Sequence, residues 1–553
     1  MKKIIALLLA MVMVFALAAC QQVEPKPDET TKGVEESTEP FSQEQESVEQ
    51  AASVIRDSIV FAHPTVTTLS AWGTRASAPG MYEVYEMLYT CDVKGEMYPW
   101  LADATYEGSF MPGCDHEPGT GIYTFKIYDY IKDHKGRDVK ASDVAYSFMY
   151  QLENENTSGW KDNLLKVEAK DDTTVEFTFA AEQTMVGQLL NVICRCIIVN
   201  EESHKESPTA LANEMIGSGP YKFVSYVSGS ELVIEKNEDY WQTNDEIRRQ
   251  EQQANVKKIT YKFIDEASQI IIGLKTGDVD FAHGIAEKDI KDFAEGGEYA
   301  DKFTPYGYTQ KFVFNLVPNC SESNIMHDIN MRLAVFNAID QEGLVTALGG
   351  GNTRIYSYAS AYYPDFDWVD YKSMDNYNTR TAVDAAKVKE YLDAAGYKGE
   401  KLVLLTSDNP DPANVIAGML TQQGINVEVK ALDNASANAL MAETEGWDLL
   451  FGRMAGDYNV TVWQHGFSYG NTPTGDRTMY HLVDDEWEEM LNTCLDQEGH
   501  TPENMKAWWE HCAKNAYAMG LYTGVTYDIM PEDMVFLTFG DKLTALTGAS
   551  IYK

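Results

Sequence analysis

The chain has 553 residues, which at roughly 150 residues per domain calls for three or four compact units and excludes a single small domain. Hydrophobic residues make up 44% and aromatic residues 11%, enough apolar side chain to fill large cores and to exclude global disorder. A formal net charge of −41 repels phosphate backbones and anionic headgroups, so nucleic acid is excluded as a partner.

Lys2 and Lys3 precede an uncharged apolar run from Ile4 to Ala16, followed by Leu17-Ala18-Ala19-Cys20. Such a run is short for a membrane span and suits the apolar region of a secretory signal. Small residues before a cysteine resemble a bacterial lipobox, in which the Cys20 thiol is acylated and the chain is cut before it. Residues 1–20 are therefore expected to be a lipoprotein signal peptide and lipobox, and several acyl chains on one residue give stable anchoring. Residues 21–53 carry nine acidic residues against Lys26 and Lys32 and are expected to be a disordered acidic tether. No later segment approaches an apolar run of about 18 residues. The body is expected outside the cytoplasm, leashed to the cell membrane.

In the body, Tyr123, Phe125 and Ile127 alternate with Thr124 and Lys126, and Val175, Phe177 and Phe179 with Glu176 and Thr178. Both read as half-buried strands. Between them a helix is expected over 141–152, with Ser142 as N-cap and Val144, Phe148 and Leu152 on one face. Short strands are expected at 232–236 and 256–264. In the second half Met331, Ala334, Val335 and Ala338 have helical spacing, as do Val388, Tyr391, Leu392 and Ala395, a helix that stops at Gly396. An apolar run 402–405, a helix 413–422 and a strand 426–432 then make a βαβ unit, which calls for a parallel or mixed sheet covered by helices. The fold class is α/β, with two lobes and extra strands in the first half.

The eight cysteines are scattered. With Cys20 lipidated an odd number remains, and at least one thiol is unpaired within the chain. Cys194 and Cys196 are expected on opposite faces of a strand, and the cysteines as a group are expected to act as small buried hydrophobes. Cys114-Asp115-His116 lacks a second matching pair for a metal and reads as a surface loop. Gly349-Gly350-Gly351-Asn352-Thr353 lacks the lysine of a phosphate-binding loop and reads as a loop after a helix. No His-Glu-x-x-His, Gly-x-Ser-x-Gly, Walker loop or dinucleotide fingerprint is present. No enzyme, cofactor or metal is expected.

Tyr98-Pro99-Trp100-Leu101-Ala102, Tyr123-Thr124-Phe125-Lys126-Ile127 and Ala141-Ser142-Asp143-Val144 with Tyr146-Ser147-Phe148 resemble successive blocks of the bacterial extracellular solute-binding protein family 5. That is the oligopeptide, dipeptide and nickel group of ABC-importer receptors. Gly217-Ser218-Gly219-Pro220-Tyr221, Asn237-Glu238-Asp239-Tyr240-Trp241, Gly277-Asp278-Val279-Asp280, Met331-Arg332-Leu333-Ala334 with Ala338-Ile339-Asp340, and Ala394-Ala395-Gly396-Tyr397 continue the match in order. Departures are Tyr128 where an arginine is usual, Asp133 and Lys135 for the usual phenylalanine and aspartate, and an insertion at 109–119.

The resemblance implies a two-lobed periplasmic-binding-protein-like fold with an extra domain II and a cleft that closes by a hinge. Domain I would comprise 54–97, 216–309 and 525–553, domain II 98–215 and domain III 310–524. It implies an ABC-importer receptor that binds oligopeptides and delivers them to a membrane permease, acting as a monomer with the membrane as its anchor through Cys20. An oligosaccharide or other small solute, or peptide sensing without transport, is the alternative. In peptide-binding members an aspartate holds the ligand's α-ammonium, and the segment Trp447-Asp448-Leu449-Leu450-Phe451-Gly452-Arg453-Met454-Ala455-Gly456-Asp457-Tyr458-Asn459 puts that role on Asp457, beside Tyr458. Arg453 lies two residues from Phe451, where some oligopeptide binders place a basic contact, and would meet a ligand carboxylate or pair with an acid. Trp463 and Trp72 are candidates for lining the cleft, with core packing as their ordinary role.

Overall fold

Period-two alternation builds the first half of the main sheet. Leu232, Tyr261, Phe61 and Phe281 form one buried row across four neighbouring strands, and Ile234, Ile259 and Ile59 form another. The Phe61 ring lies 5.5 Å from Tyr261 and 4.7 Å from Phe281, so this face is a stack of cross-strand pairs.

In this computed structural model the described residues belong to one compact unit within Ala52–Lys553. The structure describes residues 57–70, 72, 78–91, 97–154, 163–184, 188–194, 196–249, 252–357, 364–374, 383–407, 410–454, 481–532, 534–535 and 550–551. Cys20, the signal peptide and the tether lie outside the described residues. No helix among those described is long and apolar enough to cross a membrane.

Among the described residues eleven strands make one mixed sheet. Its order is Tyr221–Val227, Glu231–Lys236, Lys258–Phe263, Ser58–His63, Phe281–Ala286, Met519–Pro531, Phe303–Pro318, Leu449–Met454, Leu402–Thr406 and Val427–Ala431, with Thr353–Arg354 also on Met519–Pro531. The expected βαβ unit is present: Leu402–Thr406 and Val427–Ala431 run parallel, joined by the helix Pro410–Gln422. Two strands of the sheet are long, Phe303–Pro318 and Met519–Pro531, and they are antiparallel. Residues 303–309 pair with 525–531 and 313–316 with 519–523, but between Thr309 and Val313 the register breaks, so that residues 310–312 stand against Gly524 alone. Phe281–Ala286 joins on one side of this break and Leu449–Met454 on the other. Each half of the sheet thus grows from opposite ends of the same strand pair.

A separate antiparallel sheet, ordered Cys114–His116, Ile122–Lys126, Thr174–Phe179 and Leu164–Ala169, is covered by the helix Ala141–Asn154. Val144 and Phe148 are buried as expected, Phe148 packing 4.7 Å from Phe177. Three expectations are corrected here. The helix begins at Ala141, so Ser142 is inside it, and the Asp143 side chain instead accepts the Lys140 N–H at 2.8 Å. Cys114-Asp115-His116 is a strand, because Cys114 is apolar enough to fill the core opposite Phe125. Cys194 follows the helix Gln188–Ile193 and Cys196 precedes the strand Ile197–Ile198, so the two do not share a strand, where residues two apart would in any case face the same side, and both are buried. The described free cysteines, at 114, 194, 196, 320, 494 and 512, are all buried, and burial pushes Cys320 up to about 11 and Cys494 to about 12.

Several sequence blocks meet at one carboxylate. Glu86, buried, accepts Trp100 Nε1 (2.7 Å) and Tyr240 OH (2.6 Å) on one oxygen, and Ser218 Oγ (2.7 Å) and Trp241 Nε1 (2.7 Å) on the other. Beside it the backbone of Gly217 passes so close to the carbonyl of Val84 that a Cβ would lie 2.0 Å from that oxygen, which only glycine tolerates. His134 fixes the same loop. Its Nδ1 accepts the Gly217 N–H (3.3 Å) and its Nε2 donates to the Gly219 carbonyl (3.0 Å). In the second half Arg332, also buried, donates to the carbonyls of Met326, His327 and Asn515, closing chain ends that no helix bond can satisfy.

Candidate functional site

The register break is where the two halves of the main sheet meet, and chemistry-bearing side chains gather beside it. On the first-half side Asp528, almost fully buried, accepts His283 Nδ1 at 2.7 Å and the Gly284 N–H at 3.3 Å. Tyr306 pairs in register with Asp528, and burial, with that carboxylate, raises its hydroxyl above the usual tyrosine range. Tyr527 lies across Gly307, whose Cβ would come 2.8 Å from the ring. Burial and then Glu287 raise the Tyr527 hydroxyl as well.

On the second-half side the rings of Phe451, Phe314 and Tyr522 stack across three adjacent strands, at 5.7 and 4.6 Å with planes 14° apart. Position 451, which the resemblance links to a basic contact in some relatives, is here a buried phenylalanine within this ladder. Arg354 pairs in register with Tyr522, stacks 4.7 Å over Tyr356 and reaches Glu342 at 3.3 Å. The loop Gly349 to Gly351 follows the helix Gln341–Leu348, as expected, with φ between 58° and 73° at all three glycines. It comes up to Glu287: a Cβ at Gly351 would stand 2.8 Å from Oε2. The loop of one half thus lies against the end of a side chain from the other.

Met454 ends the strand Leu449–Met454 opposite Val313, the first paired residue beyond the break. Asp457, Tyr458 and Trp463 come after it in sequence and lie outside the described residues, as does the side chain of Arg453, whose backbone pairs with Phe314. Trp72 is described. It is buried against Tyr150 (4.7 Å) and His204 (5.2 Å), and its Nε1 has no hydrogen-bond partner among the described residues. Its described surroundings are those of a packing residue. Sequence reasoning missed His283, Asp528, Glu287 and Arg354, since no local pattern marks residues that meet only through strand pairing. No cluster of three or more metal-ligating side chains exists among the described residues.

A family model for bacterial extracellular solute-binding proteins, family 5 Middle, matches residues 96–483, and the chain belongs to that family. The oligopeptide-binding protein AppA of Bacillus subtilis is 25% identical over 366 residues, 59% of this chain and 61% of AppA. The match covers less than two thirds of the length of this and the other curated relatives. Among solved structures, HbpA2 from Haemophilus parasuis superposes with a TM-score of 0.73 at 18% identity, over 90% of this chain and all of that one. AppA from B. subtilis in complex with a nonapeptide superposes at 0.64 and 18%, over 91% of this chain and all of that one. At such identities these structures establish the fold: the mixed α/β, two-lobed periplasmic-binding-protein type.

Proposed function

We propose that the protein is the lipid-anchored, extracytoplasmic receptor of an ABC importer, which encloses oligopeptides between two lobes and passes them to a membrane permease. The observation that carries the reading is the single pair of long strands with a register break between the two halves of the sheet. Such a joint lets two rigid bodies rotate while few residues change conformation. On this reading the first lobe comprises domain I (54–97, 216–309 and 525–553) with domain II (98–215), and the second lobe is domain III (310–524). The nonapeptide named with AppA supports an extended peptide as ligand.

Asp457 would hold the ligand's α-ammonium, because an ammonium enclosed away from water needs a charged acceptor. Tyr458, Trp463 and Arg453 would contribute nearby, and main-chain pairing would supply binding that tolerates many sequences. The test is native mass spectrometry of protein purified from its host. A ladder of peptide masses is expected. A discrete hexose-spaced ligand would replace the peptide reading with the sugar alternative. Cys20→Ser should release the protein from membranes, and retention of that variant would refute lipid anchoring.

A further inference from the structure

The two long strands are not the sole link between the halves of the molecule. The loop after strand Thr174–Phe179, in the four-stranded sheet, meets the turn after helix Asp485–Leu495, more than 300 residues away. The Gln497 N–H donates to the Thr184 carbonyl at 2.8 Å, and Gln497 Nε2 donates to the Gln183 carbonyl at 3.1 Å. We infer that this contact is a latch: it holds domain II to domain III in the closed form and slows reopening of the cleft. The inference rests on the two-lobe division proposed above.

Both surfaces are preformed. Gln183, buried, is pinned by a reciprocal amide pair with Asn163 (2.6 and 3.0 Å), by the Ala181 carbonyl (2.7 Å) and by Tyr123 OH on its own N–H (3.2 Å). Across from it, Asp496 Oδ1 accepts the N–H groups of Glu498 (2.9 Å) and Gly499 (3.3 Å). At Gly499 a Cβ would fall 2.1 Å from the Thr493 carbonyl, so the turn requires glycine. Little is left to order when the surfaces meet, and preorganisation of this kind makes a small contact effective.

The latch is also reversible by construction. Gln497 and Thr184 are exposed, so water competes for the same donors and carbonyls when they part. The insertion at 109–119 supports it from behind. The Gly119 N–H donates to Glu182 Oε1 at 3.1 Å, and His116 Nε2 lies 3.4 Å from the same oxygen. The segment expected to be an insertion thus buttresses the loop carrying the latch.

The test is interlobe distance in the ligand-free protein, read by double electron–electron resonance. Nitroxides are placed at Lys166→Cys and Lys506→Cys, two exposed positions on opposite sides of the contact. Gln497→Ala removes one hydrogen bond, and the ratio of short to long distances is expected to fall about fivefold. Gln497→Pro removes both donors, and a larger fall is expected. A distance distribution unchanged in both variants, with thermal unfolding also unchanged, would overturn the latch. A second construction guards against misfolding: Thr184→Cys with Gln497→Cys should cross-link on oxidation and trap the short distance, restored by reductant. Failure to cross-link would likewise overturn it. No peptide enters these measurements, so a failed latch and a failed peptide reading give separate results.

Discussion

The indole N–H of Trp241 donates to the Glu86 carboxylate at 2.7 Å, and the two residues stand 155 positions apart in the chain. With Trp100, Tyr240 and Ser218 they tie three segments of the first half to one side chain. Tyr240 OH also accepts Gln252 Nε2 at 3.1 Å, which turns its proton toward Glu86. Removing the carboxylate would leave the buried indole of Trp241, the partly buried indole of Trp100 and two hydroxyls without this acceptor. Glu86→Ala is therefore expected to lower unfolding free energy by at least about 3 kcal/mol, and Glu86→Gln, which keeps one acceptor oxygen, by about half as much. Urea or thermal unfolding measures both, and a loss below about 1 kcal/mol for Glu86→Ala would show the cluster to be dispensable.

The pH dependence of stability follows from the same region. Burial raises Glu86 to about 7 against the pull of its four donors, and raises Glu83, beside Tyr261, to about 8. Both folded values exceed the unfolded one, so their contribution is fully present below about 4.5 and is lost as pH rises through 7 to 8. His134 works in the other direction. Burial lowers it to about 4, so its contribution is present above the ordinary histidine value and is lost as pH falls toward 4. A decline in melting temperature is expected between about pH 4.5 and pH 8, partly offset by His134 below its ordinary value and levelling above 8, on the order of a few kcal/mol in stability. Glu83→Gln should flatten that decline. An equal decline in the variant would place the titrating groups elsewhere.

Much of this architecture is legible in the sequence, for identifiable reasons. Alternation at Tyr123, Phe125, Val175 and Phe177 gives strands because one face is buried, and the apolar run at 402–405 before a helix gives a parallel pair. What escapes is whatever depends on distant partners. Nothing near Glu86 marks it as an acceptor for residues 14 to 155 positions away. The cap expected from Ser142 fails because Asp143 competes for the same helix start. The break at residues 310–312 leaves no trace in periodicity, since it is a matter of register between two strands. Asp457 is marked by family resemblance, whereas the pairing of His283 with Asp528 emerges only from the paired strands.

For Asp457 the decisive comparison is calorimetry with a short peptide found on the purified protein and its N-acetylated form. Loss of a charge-assisted bond is expected to weaken binding by roughly tenfold to a hundredfold. Asp457→Asn should weaken the free peptide and leave the acetylated one little changed. Equal affinities of the native protein for both forms would remove the ammonium-holding role.

If two bodies joined at the register break close upon a solute, ligand binding must compact the molecule. Small-angle X-ray scattering of protein stripped of ligand by unfolding and refolding, before and after addition of a mixed peptide library, tests it most directly. A smaller radius of gyration with peptides, and none of that contraction with oligosaccharides, is the predicted result. An unchanged radius while calorimetry under the same conditions records peptide binding would contradict closure.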